Sequence, residues 1–283
     1  MPLGTGNQTI TTTTQFAPTV WANDVMDILK SNLILVDRVK HFDADVSDYG
    51  KSIVVPYVQS AVANVKLPNT QVTLNGQTAT SVTIPVDQHY ESSYLIEDIA
   101  KVQAKADLRS EFTKAAAYAI AEAIDTTILV ELKAGSTQTA VGTFGTPLVD
   151  GVILSAKVKL DIAKAPSTDR TLALGPTQNG QMLAIDKYVR YDAIGTGEAI
   201  VNGKTGTIYG FDVVMSQNFP SVNGTPVQET GVAFHKDALG IALQVKPRTQ
   251  AQYKQEYLGW LLTVDTVFGV KTLRPTFSVL VRS

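Results

Sequence analysis

The sequence predicts an α+β fold, and three observations carry that expectation. Leu108, Phe112, Ala116, Ile120, Ile124 and Ile128 recur every four residues, the spacing of a long helix with an apolar ridge. Ile53, Val55 and Tyr57, and again Val82, Ile84 and Val86, alternate with their neighbours as the two legs of a β-arm do. The tail from Ile241 to Val281 is strand-like, punctuated by Gly259, Gly269 and Pro275. Two of these elements are too long for the body they belong to. A compact domain of 283 residues is about 50 Å across. An arm from Gly50 to Glu91 has legs of about 20 residues, on the order of 65 Å when extended. A helix from Ile96 to Ala134 has about 39 residues and spans on the order of 58 Å. One copy cannot bury such elements, so the chain reads as an assembly subunit.

The remaining elements follow in chain order. Residues 1–17 are polar and threonine-rich, which suits a flexible or extended N-terminal arm. Pro18 opens an amphipathic helix from Thr19 to Val36 that carries Trp21, Val25, Ile28, Leu29 and Leu33. Each leg of the β-arm holds a proline, Pro56 or Pro85, which favours an edge position. Between the legs, Ser60 to Thr80 is polar, with a turn expected at Asn75-Gly76. The four-residue ridge of the long helix drifts around its axis, so the helix should touch more than one surface. Glu97/Lys101 and Glu111/Lys114 are spaced as helical ion pairs. Asp107 could cap a second segment after a break near Ala106, and Gly135 ends the helix. Gly135 to Pro147 reads as a linker. Asp150 is placed to cap a helix carrying Ile153, Ala156, Leu160 and Ala163. A strand at Thr171–Leu174, a helix at Gln178–Tyr188, a glycine-rich loop at Gly195–Gly206 and a strand at Ile208–Met215 complete an α/β insertion.

Composition narrows the function classes. Charged residues are 18% of the chain, a low share that fits a surface covered by partners. The net charge of −2 argues against a general nucleic-acid binder. Residues 1–97 hold 5 Lys/Arg against 9 Asp/Glu, whereas residues 236–283 hold 7 against 3. These opposite balances suit head-to-tail contact between copies, or equally two solvated faces. The absence of cysteine excludes disulfides and thiolate metal sites. No apolar run reaches the length of a membrane span, and no signal peptide is recognisable.

The chemistry-bearing residues do not gather into a site. His41, His89 and His235 are far apart and read as ordinary surface or core histidines. Gly203-Lys204-Thr205 ends like a phosphate-binding loop, but Glu198 stands where the first glycine is needed and a strand follows. Asp43, Asp45 and Asp48 resemble a calcium loop, yet Asp48 takes its glycine position and Val54 its terminal glutamate position. Tyr253, Tyr257, Trp260 and Phe268 read as sheet core more than as a base-stacking platform. No catalytic, cofactor-binding or metal-ligating residue is assigned, and the chain is not expected to be an enzyme.

Taken in order, the elements resemble a tailed-bacteriophage major capsid protein of the Hong Kong 97-like family. Three phrases add to the resemblance: Gly206 to Ser216, Gly231 to Leu239 and Gly269 to Val279. The resemblance implies an N-terminal arm and helix at 1–49 and an extended loop at 50–91. It places the first part of a peripheral domain, with a spine helix, at 92–147. An axial domain takes 148–233, and the second part of the peripheral domain takes 234–283, with Ile241 to Val281 completing its sheet. Some family members join a loop lysine to an asparagine of a neighbour's peripheral domain. Lys66 could be that lysine, but no asparagine follows Asn223, so no such crosslink is expected.

The resemblance further implies hexamers and pentamers of an icosahedral shell around packaged double-stranded DNA, which is enclosed without sequence-specific binding. It implies a virion protein assembled in the host cytoplasm, with no cofactor and no membrane. Scaffolding, portal and decoration proteins are the candidate partners, a separate scaffold because no long helical pro-segment is present. An encapsulin-type compartment shell shares the fold and stays an alternative, as does a β-rich phage tail or adhesin protein.

Overall fold

A computed structural model of the chain describes residues 35–46, 50–58, 63–76, 79–98, 108–189, 206–219 and 230–283, all within the unit Ser31–Ser283. The expected helix at Thr19–Val36 lies outside them except for its last two residues. Two larger sheets and one two-stranded sheet organise the described residues. The first has the order β1-β9-β10-β4. Strand β9 (Leu239–Lys254) and β10 (Gly259–Thr272) form one long antiparallel hairpin, and β4 (Gln88–Glu97) runs antiparallel along the other side of β10. The short β1 (Lys40–His41) lies parallel to the start of β9.

Helix α1 (Leu108–Gly135) packs on this sheet. Ala116, Ile120, Ile124 and Ile128 are buried, and the buried set then moves on to Leu129 and Leu132. That shift is the expected drift of a four-residue ridge on a 3.6-residue helix. The start of the helix differs from the sequence expectation. Ile96 and Glu97 belong to β4, opposite Trp260 and Gly259, so Glu97 is a strand residue, and Lys101 lies outside the described residues. Strand alternation persists through Tyr94, Leu95 and Ile96, and pairing with β10 decides the conformation there. The described helix has 28 residues, about 42 Å in length. Asp107 and the Glu111 side chain lie outside the described residues.

The second sheet has five strands in the order β11-β8-β5-β7-β6. Strand β5 (Arg170–Leu174) is buried at every residue, as a central strand should be. It lies between β7 (Phe211–Met215), parallel, and β8 (Thr230–His235), antiparallel. Helix α2 (Asp150–Ile162) buries Ile153, Ala156 and Leu160. The helical signal at Gln178–Tyr188 resolves into α3 (Pro176–Leu183) and α4 (Asp186–Val189). The expected strand Ile208–Met215 is in fact a hairpin of β6 (Thr207–Ile208) and β7. Tyr209 and Gly210 have φ of 49° and 82°, the left-handed pair that a tight two-residue hairpin turn requires.

The tail also divides. Only its first part, in β9 and β10, belongs to the four-stranded sheet. Strand β11 (Ser278–Arg282) crosses to the five-stranded sheet and pairs with β8. Strand β11 is the outer strand of that sheet: both of its faces are largely covered, and Val141 bridges its outer edge at Val281.

Candidate assembly surfaces

The β-arm is the first candidate. Strands β2 (Ser52–Val58) and β3 (Ala79–Pro85) pair antiparallel, from Ser52 opposite Pro85 to Val58 opposite Ala79. The same register, carried outward, brings Leu67 opposite Thr70. The chain turns there: both N and Oγ1 of Thr70 donate to Leu67 O, at 3.4 and 2.7 Å. Pro68 and Asn69, with Asn69 at φ 59°, have the residue types of a type II turn. The tip is therefore at Pro68-Asn69, not at Asn75-Gly76 as the sequence suggests. Asn64 Nδ2 donates to Asn75 Oδ1 at 2.9 Å and ties the two legs together below the tip.

The root of this arm is packed and its outer part is bare. Ile84 and Val86 are buried with Val46 and Ala242, and Ile53 and Val55 lean on the same cluster. The alternation read in the sequence places these residues on one face. Val86 N donates to Lys51 O at 3.0 Å, and Gln244 Nε2 to Gly50 O at 3.1 Å. Gly269 lets β10 lie against the root: a Cβ there would be 2.0 Å from Pro85 O. Further out, Val65 and Leu74 are 91% and 87% exposed, and Leu67 and Val72 are exposed as well. Lys51 and Lys66 are the only charged residues from 50 to 86. A ribbon with few charges, packed at its root and carrying exposed apolar side chains further out, is suited to lie on another surface.

The far end of the β9–β10 hairpin is the second candidate. Leu258, at φ 44°, and Tyr257 form its tip. Tyr253, Tyr257, Leu258 and Trp260 are all exposed there. The rings of Tyr253 and Trp260 meet edge-on at 5.5 Å, and Tyr253 Oη donates to Asp98 at 2.9 Å, which raises the pKa of the phenol. Of the four tail aromatics, only Phe268 is core, where it stacks on Tyr90. The expectation of sheet core fails for the other three, which lie at the tip, beyond the last buried apolar side chain of β10, Leu262. A third apolar stripe, Leu154, Val158 and Ile162, lies exposed along α2.

Several charged groups are engaged in holding the fold. Arg248 makes two 3.0 Å contacts to the two carboxylate oxygens of Asp265, and this pairing pulls the Asp265 carboxyl below its ordinary pKa. His89 lies 3.6 Å away on the same carboxylate. Asp150 does not cap α2. Its carboxylate accepts from Tyr188 Oη, from Tyr209 Oη at 2.8 Å and from Lys187 Nζ at 3.1 Å, joining α2, α4 and the β6–β7 turn. These bonds, the Tyr188 bond foremost, hold its pKa down. His235 is buried edge-on against Phe277, accepts from Asp237 N on Nδ1 at 3.1 Å, and has its pKa lowered by burial.

Asp43, part of the calcium-loop resemblance, instead accepts from Leu243 N at 2.8 Å. Asp48 and Gly203-Lys204-Thr205 lie outside the described residues. Among the described residues, no group of three or more His, Asp or Glu is arranged to hold a metal, and no helix is long and apolar enough to cross a membrane. A groove of about 630 Å³ lies between α1 and the sheet, lined in part by Tyr90, Glu122, Thr126 and Glu131. Glu131 is already bound to Lys271 Nζ at 3.1 Å and Thr272 N at 3.2 Å.

No curated protein matches the sequence. Among solved structures, a chain from Mycobacterium phage Che8 matches with a TM-score of 0.80 at 23% identity, over 94% of this chain and 97% of that one. A chain of the capsid of cyanophage P-SCSP1u matches with a TM-score of 0.78 at 19% identity, over 95% and 93%. A chain of the mature capsid of bacteriophage PhiM1 matches with a TM-score of 0.71 at 17% identity, over 93% and 90%. These likenesses establish the fold. The family model described as phage capsid protein matches residues 44–281. That match spans well over half of the chain: the protein belongs to the phage capsid protein family, and its fold is the Hong Kong 97-like fold of tailed-bacteriophage major capsid proteins.

Proposed function

We propose that copies of this chain form the hexamers and pentamers of an icosahedral shell that encloses packaged double-stranded DNA. The observation that carries this reading is the arm, packed at its root and bare beyond it. Each arm lies over the adjacent subunit, where Val65, Leu67, Val72 and Leu74 supply apolar area. Its open strand edges supply backbone hydrogen bonds. Interfaces of obligate assemblies run from about 2,000 Å² upward, more than one bare ribbon provides, so the β9–β10 tip and the α2 stripe are the further contacts. The near-neutral net charge fits a wall that does not grip its DNA. Scaffolding, portal and decoration proteins are the expected partners, with assembly in the host cytoplasm. Membership of a phage capsid family favours this reading over a cellular cargo shell or a tail fibre.

The contacts are non-covalent on this reading, because no asparagine follows Asn223 to meet Lys66. We assign no catalytic or cofactor residue. The five proposed segments are those drawn from the resemblance: 1–49, 50–91, 92–147, 148–233 and 234–283. Deleting Ser60 to Thr80 tests the reading. The expected result is a folded subunit, by circular dichroism, that gives no closed shells in negative-stain microscopy. Normal shells from that variant would overturn the role given to the arm.

A further inference from the structure

The chain contains four Asn-Gly pairs: Asn75-Gly76, Asn179-Gly180, Asn202-Gly203 and Asn223-Gly224. The last two lie outside the described residues. The first two have opposite backbone settings. Asn179 and Gly180 are inside α3, where the helix aims the Gly180 N–H along its axis and away from the Asn179 carboxamide. Asn75 and Gly76 lie exposed on the return leg of the arm, beyond the β2–β3 ladder. Gly76 is exposed, and a Cβ built on it would meet nothing within 4 Å, so no packed neighbour confines the segment at that position. Asn64 Nδ2 also donates to Asn75 Oδ1 at 2.9 Å. A donor at that oxygen makes Cγ more electrophilic and stabilises negative charge that develops on Oδ1 during attack.

We propose that Asn75-Gly76 is a self-modification site, at which the arm releases ammonia and gains an aspartate or isoaspartate. The Gly76 amide nitrogen loses its proton to base and attacks Asn75 Cγ. The new N–Cγ bond closes a five-membered succinimide as the Cγ–Nδ2 bond breaks, and Nδ2 leaves as ammonia. Water then opens the ring. Cleavage of the new N–Cγ bond gives aspartate, and cleavage at the original backbone carbonyl gives isoaspartate. The net change is one water consumed and one ammonia released, with no change of oxidation state.

Either product alters the arm. The new carboxylate reduces its charge from the +2 of Lys51 and Lys66 to +1. Isoaspartate also inserts one carbon into the backbone of the return leg. That displaces the leg against its partner and breaks the present match of Asn64 with Asn75.

The site stands apart from the shell reading, because the measurement uses purified full-length subunits before any assembly. They are held at neutral and at mildly alkaline pH and sampled by peptide mass spectrometry with isoaspartate detection. Asn75 should convert at least about tenfold faster than Asn179, since the helix holds the Gly180 nitrogen away from the Asn179 carboxamide and no helix constrains Gly76. Its rate should rise with hydroxide. Gly76→Ala should slow it by about tenfold, because a Cβ crowds the attacking nitrogen and narrows the backbone. Conversion of Asn75 no faster than that of Asn179, or a rate unmoved by Gly76→Ala, would overturn the proposal.

Discussion

Gly269→Ala should disable the arm without changing any residue of the arm itself. In the native contact, a Cβ at 269 would sit 2.0 Å from Pro85 O, 2.8 Å from Pro85 C and 3.0 Å from Val86 Cα. These are backbone atoms, so no side-chain rotation relieves the clash. Reaching the 3.4 Å of ordinary contact requires the two backbones to part by about 1.4 Å. Taken as a tilt across the roughly 10 Å between packed layers, that is about 8°. The legs run some 17 residues from Ser52 to Pro68, about 55 Å, so the tip would swing by about 8 Å. If the root holds its place instead, the overpacking costs about 1–3 kcal/mol. Gly151→Ala, where nothing lies within 4 Å, is the control and should be neutral or mildly stabilising. The assays are urea unfolding of subunits and electron microscopy of assembly. Normal shells from Gly269→Ala, with an unmoved unfolding midpoint, would refute the reasoning.

Three further outcomes are expected. Ile128→Ala, at a fully buried ridge position of α1, should cost about 2–5 kcal/mol in denaturant unfolding, against little for the exposed Val130→Ala. Leu258→Gly should stabilise the subunit by about 1 kcal/mol, because a leucine is held at φ 44° where glycine meets no strain. A shell defect in this stabilised variant would place Leu258 in an interface. His235 has a folded pKa below its unfolded value of about 6.5, so its contribution is full above that pH and is lost as pH falls towards the folded value. Urea midpoints measured from pH 7 down to pH 5 should therefore fall more steeply for the native chain than for His235→Gln.

The legible part of this fold is the part written in local periods. The alternation at Ile53/Val55 and Ile84/Val86 marks both the arm and its buried face, since a strand repeats every two residues. The ridge from Ala116 to Ile128 marks the helix and its drift. What escaped depends on distant partners. Asp150 has the residue type and place of a cap, but Tyr188 and Tyr209, 38 and 59 positions away, take its carboxylate. Pro68-Asn69 and Asn75-Gly76 are both good turn formers, and only the register set at the arm's root chooses between them. Tyr253, Tyr257 and Trp260 are the large aromatics of a strand-rich segment, and residue type cannot distinguish a surface covered by the same chain from one awaiting a neighbour. The candidate surfaces were thus visible as apolar strands and hidden as exposed ones.

The crossing of β11 has a consequence for the order of folding. Strand β8 has β5 on one side and β11 on the other, and the whole β9–β10 hairpin intervenes between β8 and β11 in the chain. During synthesis, β8 emerges with one edge unpaired and keeps it so until the hairpin has been made and the chain has turned back. Such long-range closure is slow, and an open edge is a template for the wrong strand. The five-stranded sheet thus closes only after the hairpin tip, a proposed contact to neighbours, exists. A subunit would then expose its mature contacts before its own core is sealed, and that interval is where a chaperone or a scaffolding partner would have the most to hold.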